Sequence, residues 1–152
     1  MINKATLFVY ATSSTGDMYG VIYGHGTDDA DDFATDTSIW NRTRTTANVP
    51  WSAENLPAGW NEKDVTSIVQ EIVDRDGWAS GNSLALLLLG NTSATYKVIS
   101  FYSHDYSSSR AARLNIDWAP ATVSLGDHSS GQVADQIGET SSVSTSSLPY
   151  FW

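Results

Sequence analysis

The chain contains no cysteine, and only 8 of its 152 residues are basic. Without thiols, disulfides, thiolate metal ligands and cysteine nucleophiles are excluded. The 17 acidic residues give a formal charge of −9, so we expect the chain to repel the phosphates of nucleic acid. The longest apolar run, residues 84–89, is much shorter than a bilayer crossing requires. The sequence therefore predicts a protein that binds neither nucleic acid nor membranes.

Hydroxyl and aromatic side chains are abundant instead. The chain has 21 Ser, 15 Thr, 6 Trp, 7 Tyr and 4 Phe, a composition that favours strands over helices. Alternating or continuous apolar patterns predict strands at residues 4–12, 18–23, 42–49, 83–89, 95–102 and 112–118. We expect residues 83–89 to be buried on both sides at the centre of the fold, in a hairpin with 95–102. Residues 50–60 are predicted as a long loop.

One segment has helical periodicity. Its apolar residues fall at i, i+3, i+4, i+7 and i+8, which predicts a short surface helix over residues 65–75 with one face in the core. Asp64 is a candidate N-cap, and Gly77 a candidate C-terminal stop. The fold predicted from these patterns is all-β, with one short α-helix.

Several motifs stand in a fixed order along two thirds of the chain. They are residues 44–51 (RTTANVPW), Trp60, residues 64–73 (DVTSIVQEIV), residues 77–86 (GWASGNSLAL) and residues 113–118 (RLNIDW). Taken together, they resemble the DNRLRE type of β-sandwich module. The resemblance implies a jelly-roll-like antiparallel sandwich and a non-catalytic role, either in polysaccharide binding or in large extracellular or viral surface assemblies.

The composition changes after Trp118. Residues 119–152 hold 11 Ser or Thr and no Lys or Arg, so we divide the chain into a sandwich domain (1–118) and an extended C-terminal arm (119–152). The arm ends in an apolar aromatic segment, which is typical of a docking element. Its predicted interface anchors are Leu148, Tyr150, Phe151 and Trp152.

Motifs of enzymatic chemistry are missing from the sequence. His25, His104 and His128 have no zinc-site spacing and are expected in surface loops. No G-x-S-x-G elbow presents a serine nucleophile. We therefore predict that the protein is not an enzyme and needs no catalytic cofactor.

An acidic segment allows two interpretations. Asp28, Asp29, Asp31 and Asp32, with Asp36 nearby, supply the hard oxygen ligands that Ca²⁺ prefers, although their spacing matches the calcium-loop pattern only loosely. The alternative is a solvated acidic loop. The solvated loop is the favoured interpretation, and calcium is the one metal for which the sequence offers a candidate site.

Aromatic residues are the remaining candidates for binding. Rings beside hydroxyl groups are suited to stacking on sugars, and the candidates are the six tryptophans with Tyr102 and Tyr106. Trp40, Trp60 and Tyr106 fall in predicted loops where a ligand can reach them. Structural roles in the core or as loop anchors are expected for Trp51, Trp78 and Trp118.

Two functions are compatible with these features. The first is a structural subunit of a large assembly, such as a capsid decoration, cement or tail-associated protein at a virion surface. It would dock on other subunits, including copies of itself, through the arm. The second is a carbohydrate-binding module of a larger secreted bacterial protein, which acts outside the cell. The Ser/Thr-rich surface and the arm favour the first function, and the aromatic residues favour the second.

Overall fold

A computed structural model of the protein describes residues 1–12, 18–33, 39–53, 56–90 and 99–119. These residues form two three-stranded antiparallel sheets and one helix, which confirms the predicted all-β, sandwich-like fold. The elements are β1 (Ile2–Ala11), β2 (Met18–His25), β3 (Arg44–Ala53), β4 (Gly59–Asp64), α1 (Thr66–Val73), β5 (Leu86–Gly90) and β6 (Arg113–Trp118). The first sheet has the order β4-β1-β6, and the second has the order β3-β2-β5.

The core lies between the two sheets and the helix. Strand β1 contributes small residues, Ala5, Val9 and Ala11, all of which are buried. Strand β2 contributes Ile22, and β3 contributes Trp51. The small side chains of one sheet leave room for the larger ones of the other, so the two layers pack closely.

Helix α1 is shorter than the predicted 65–75, and its start differs by one residue. Val65, not Asp64, occupies the N-cap position. Asp64 still acts at this end, because its Oδ1 accepts hydrogen bonds from the Thr66 hydroxyl at 2.6 Å and the Thr66 N–H at 2.9 Å. These two hydrogen bonds stabilise the carboxylate and lower the pKa of Asp64. The predicted inward stripe is confirmed, since Ile68, Val69 and Ile72 are buried.

Hydrogen bonds from the sheets to α1 join the two layers. Three helix side chains accept backbone N–H groups: Thr66 from Ala5 at 2.9 Å, Gln70 from Ile2 at 2.6 Å, and Glu71 from Thr46 at 2.7 Å and from Ala47 at 2.6 Å. The first two bonds reach β1 in the first sheet, and the Glu71 bonds reach β3 in the second. The helix therefore covers the core and also fixes the position of one sheet relative to the other.

The predicted loop over residues 50–60 is wrong at both ends. Strand β3 continues through Pro50 and Trp51 to Ala53. Proline is tolerated there because β3 is an outer strand of the described sheet and pairs on one side only. Strand β4 then begins at Gly59, so Trp60 lies on a strand rather than in a loop.

The apolar run after the helix also differs from its predicted position. Strand β5 starts at Leu86, three residues later than predicted, and it forms one side of the described second sheet rather than its centre. Leu87 is buried, whereas Leu88 is half-buried. Of the predicted return strand, Phe101 pairs with Ala11 of the first sheet, and residues 91–98 lie outside the described residues.

The end of the described chain lies beside its beginning. The amino group of Met1 donates to the carbonyl oxygen of Ala119 at 3.0 Å, and the Ala119 N–H donates back to the Met1 carbonyl at the same distance. The arm beyond this point, with Leu148, Tyr150, Phe151 and Trp152, lies outside the described residues. Within the part of the chain that the structure describes, no helix has the length and apolar character needed to span a membrane.

Candidate functional site

Four aromatic side chains form a continuous cluster on the outer face of the first sheet. Trp60 contacts Tyr10, Tyr10 contacts Tyr102, and Tyr102 contacts Tyr106, each with ring centroids 5.3 Å apart. Tyr106 is 80% exposed and Trp60 is 44% exposed, while the two middle rings are half-buried. We call these four residues the aromatic patch.

Strand register brings the patch together. Tyr10 of β1 is directly opposite Trp60 of β4, so both side chains lie on the same face of the sheet. On the other side of β1, the N–H of Tyr102 donates to the Tyr10 carbonyl oxygen at 3.0 Å. Tyr106 follows in a turn in which its N–H donates to the Ser103 hydroxyl at 3.3 Å. Segments far apart in sequence therefore supply neighbouring rings.

Two arginines complete the cluster. The Cζ atom of Arg110 lies 4.9 Å from the ring centroid of Tyr10 and 5.1 Å from that of Tyr102. Its Nη1 donates to the Tyr102 hydroxyl at 3.1 Å. The Cζ atom of Arg113 lies 4.8 Å from the ring centroid of Trp60. Such cation–π contacts hold both guanidinium groups against the patch.

The patch combines apolar ring faces with directed hydrogen-bond donors. Exposed rings offer an apolar surface, and the tyrosine hydroxyl and guanidinium N–H groups at their edges can bind polar substituents of a ligand. This combination is suited to ligands that have both an apolar face and many polar groups.

The structure separates the predicted stacking residues. Trp60 and Tyr106 belong to the patch, and of these two only Tyr106 lies in a loop as predicted. Trp40 is 56% exposed in a turn, where its carbonyl oxygen accepts a hydrogen bond from Arg44 at 3.4 Å. Among the described residues, Trp40 makes no ring contact with the patch. The predicted three-residue set is therefore divided between two places.

The roles predicted for the other tryptophans are confirmed in two of three cases. Trp51 is only 2% exposed, and Trp78 is half-buried and packs against the core. Trp118 is 54% exposed at the end of β6, so the expected core role is wrong for this residue. Along this face of β6, Leu114 is buried, Ile116 is half-buried and Trp118 is exposed, so burial decreases toward the end of the strand.

Sequence reasoning missed three members of the cluster: Tyr10, Arg110 and Arg113. Tyr10 lies on a predicted strand, but its partner Trp60 is predicted in a loop. Residues 59–64 (GWNEKD) show no alternation of apolar and polar side chains, so the sequence carries no signal for β4. The arginines carry no local signal either, because the position of Arg113 depends on the register of β6 against β1 and that of Arg110 on the turn before β6.

The acidic segment is held by protein groups. The Oδ1 atom of Asp28 accepts a hydrogen bond from the Nε of Arg75 at 2.6 Å, and the Oδ1 atom of Asp29 accepts one from the N–H of Ser83 at 2.7 Å. Within the described ranges, no three acidic or histidine side chains come together as metal ligands. Calcium binding by Asp28, Asp29, Asp31 and Asp32 stays a prediction, and Asp36 lies outside the described residues.

A buried arginine anchors this segment to the sandwich. Arg42 is 8% exposed, and its two terminal nitrogens donate to the carbonyl oxygens of Asp31 at 3.1 Å and Asp32 at 2.8 Å. Nη1 also lies 3.3 Å from Nδ1 of His25. Burial, and then the charge of Arg42, lowers the pKa of His25. This arrangement stabilises the loop through its backbone.

The two histidines that the structure describes occupy different places. His25 is the last residue of β2, not a loop residue as predicted. His104 lies in a turn, as predicted, with Nδ1 3.8 Å from Oδ1 of Asp105. His128 lies outside the described residues.

Comparison with known proteins identified no relative of this chain. No protein-family model, no curated protein and no solved structure matches this chain. The resemblance to DNRLRE modules stays a prediction, and the functional argument rests on the geometry of the aromatic patch.

Proposed function

We propose that the protein is a non-catalytic polysaccharide-binding protein that holds its ligand on the aromatic patch. The observation that carries this proposal is the unbroken series of four rings in contact on one sheet face, with Trp60 and Tyr106 exposed at its ends. Sugar rings have apolar faces and polar edges, which match aromatic faces bordered by hydrogen-bond donors.

The inner part of the patch is ordered before a ligand arrives. Tyr10 is held between Trp60 and Tyr102 by edge-to-face contacts with interplanar angles of 82° and 88°. Arg110 contacts both tyrosines and donates to the Tyr102 hydroxyl. A surface whose side chains are already fixed loses less conformational entropy on binding, which favours affinity.

Replacement of Trp60 by alanine is expected to weaken this binding strongly. Truncation of an exposed aromatic anchor costs about 2 kcal/mol or more, which is a loss of roughly 30-fold in affinity. Binding is measured by affinity electrophoresis in gels that contain neutral or acidic polysaccharides. Trp40→Ala is the matched control, because Trp40 is similarly exposed but does not contact the patch.

The Trp40→Ala variant also tests whether the ligand binds at Trp40 instead of on the aromatic patch. If Trp40→Ala reduces retardation and Trp60→Ala does not, the ligand surface lies elsewhere and the proposal is wrong. Circular dichroism melts of both variants should match the wild type, since neither side chain belongs to the buried core.

The second candidate function is the assembly subunit predicted from the C-terminal arm. The observation that favours it is the exposure of two large apolar side chains where the arm begins. Met1 is 79% exposed and Trp118 is 54% exposed, and the hydrogen bonds between Met1 and Ala119 hold the two ends of the described chain together. Exposed apolar side chains next to the first residues of the arm favour contact with another protein chain.

A truncation after Ala119 tests the assembly role. We expect the full chain to sediment as an oligomer and the truncated chain as a folded monomer, because the anchors Leu148, Tyr150, Phe151 and Trp152 are removed. A full-length variant with these four residues replaced by serine is the matched control, and it should also be monomeric. Oligomers of equal size in all three proteins, or a monomeric full chain, would contradict this candidate.

A further inference from the structure

Arg110 and Arg113 bring positive charge to the patch of a strongly acidic protein. The net charge is −9, yet two of the 8 basic residues lie here. Among the described residues, neither guanidinium group forms an ion pair with a carboxylate. We propose that these arginines select an acidic polysaccharide, one that carries the carboxylate groups of uronic acids. This inference rests on the proposed function and specifies its ligand.

The geometry of Arg110 leaves one side of its guanidinium group available. Only Nη1 donates to a described side chain, the Tyr102 hydroxyl. Nε and Nη2 make no hydrogen bond within the described residues. These two N–H groups are parallel donors, the arrangement that binds both oxygens of a carboxylate. The contacts with Tyr10 and Tyr102 fix the plane of the group beside the ring faces.

Arg113 occupies the equivalent position beside Trp60. One of its terminal nitrogens, Nη2, donates to the carbonyl oxygen of Ser109, and its Cζ atom lies 4.8 Å from the indole ring. A sugar stacked on the exposed part of Trp60 would place its substituents near this guanidinium group. Each end of the Trp60–Tyr10–Tyr102 series thus combines a ring with an arginine.

The carboxylates of β4 and β6 that share this face lie mostly beyond the patch. Glu62 is the nearest, two residues from Trp60 and in one cross-strand row with Phe8 and Arg113, whereas Asp64 and Asp117 lie farther along the strands. Asp105 precedes Tyr106 in its turn, with Oδ1 3.8 Å from Nδ1 of His104. The two arginines therefore lie at the Trp60 end of this face, and the carboxylates outnumber Lys4 at the other end. An anionic chain would be attracted to the arginines and repelled from the far end of the face.

Matched polymers test the inference. Polygalacturonate and its methyl-esterified form have the same backbone but differ in charge, and hyaluronate and its carboxyl-reduced form make a second pair. For the full chain we expect affinity for the acidic form to be about tenfold or more higher in at least one pair, and to fall as salt rises from about 50 to 300 mM, because exposed charges are screened. Arg110→Gln with Arg113→Gln should remove that preference. Arg75→Gln, which changes an exposed arginine bonded to Asp28, should leave it unchanged.

The possible outcomes separate the two proposals. Equal affinity for both forms in both pairs, or no binding to either acidic polymer, overturns the inference. Retained binding to neutral polymers that Trp60→Ala weakens would still support the proposed function. An acidic preference that persists in the double arginine variant also overturns the inference, because the charge selection would then lie elsewhere.

Discussion

Replacing Trp51 by alanine is expected to lower the free energy of unfolding by about 3–5 kcal/mol, the range for removing a large buried aromatic side chain. Trp51 is 2% exposed on β3. Its ring lies 6.4 Å from that of Phe101, and the Lys63 ammonium lies 5.9 Å from its centroid. Because Lys63 and Phe101 belong to elements on the opposite side of the core, the indole packs between the two layers.

Urea unfolding followed by far-ultraviolet circular dichroism measures this loss. Trp118→Ala is the matched control, because the same side chain is removed from a position that is 54% exposed, and its effect should be within about 0.5 kcal/mol. Trp51→Phe keeps an aromatic ring in the core, so it should lose less stability than the alanine variant and remain measurable. Equal losses at Trp51 and Trp118 would show that the assigned burial of the two indoles is wrong.

The second large effect is expected at Gly24 of β2, where the strand passes under the helix. A Cβ added there would lie 2.7 Å from Cδ1 of Ile72, 2.8 Å from Cγ2 of Ile68 and 2.9 Å from Cγ2 of Thr45. These distances are shorter than any ordinary van der Waals contact, so Gly24→Ala must displace the side chains of Ile68, Ile72 and Thr45 or the elements that carry them. Overpacking of this kind costs about 1–3 kcal/mol.

The chain offers both a control and a partial rescue. Gly90 lies on β5 with nothing within 4 Å of the added Cβ, so Gly90→Ala should not destabilise the protein. Ile72→Val removes the Cδ1 atom that the new methyl group of Gly24→Ala would contact, and it costs about 0.5–1.5 kcal/mol on its own. The double variant should therefore be more stable than the sum of the two single changes predicts. If the two losses of stability were strictly additive, the methyl group added by Gly24→Ala would not contact the Ile72 side chain.

Most of the elements could be predicted from local patterns. The helix was identified because apolar residues at i, i+3 and i+4 form a stripe only in a helix. Strand β1 was identified because apolar and aromatic residues alternate along it. The errors fall where a local signal opposes the sheet: Pro50 suggested a loop but lies on an outer strand, and Gly59 suggested a turn but begins β4.

The candidate site was only partly predictable. The sequence predicts Trp60 and Tyr106 as binding residues because both fall in predicted loops, and it groups Trp40 with them. In the structure, Trp60 belongs to the patch because β4 pairs with β1 in the register that places it opposite Tyr10. That register is determined by which faces of the two strands are buried, and burial depends on the opposite sheet.

The sequence by itself determined the class of the fold and the position of the helix, because hydrophobic periodicity acts over a few neighbouring residues. It also determined which chemistry is absent, since a chain without thiols has no thiol chemistry in any fold. Only the tertiary structure decided that Tyr10, Trp60, Tyr102 and Arg110 are neighbours. They come from separate segments, and strand pairing around a common core brings them together. Side chains distant in the chain form one surface only after the strand register has been set, so no local pattern in the sequence could have predicted that surface.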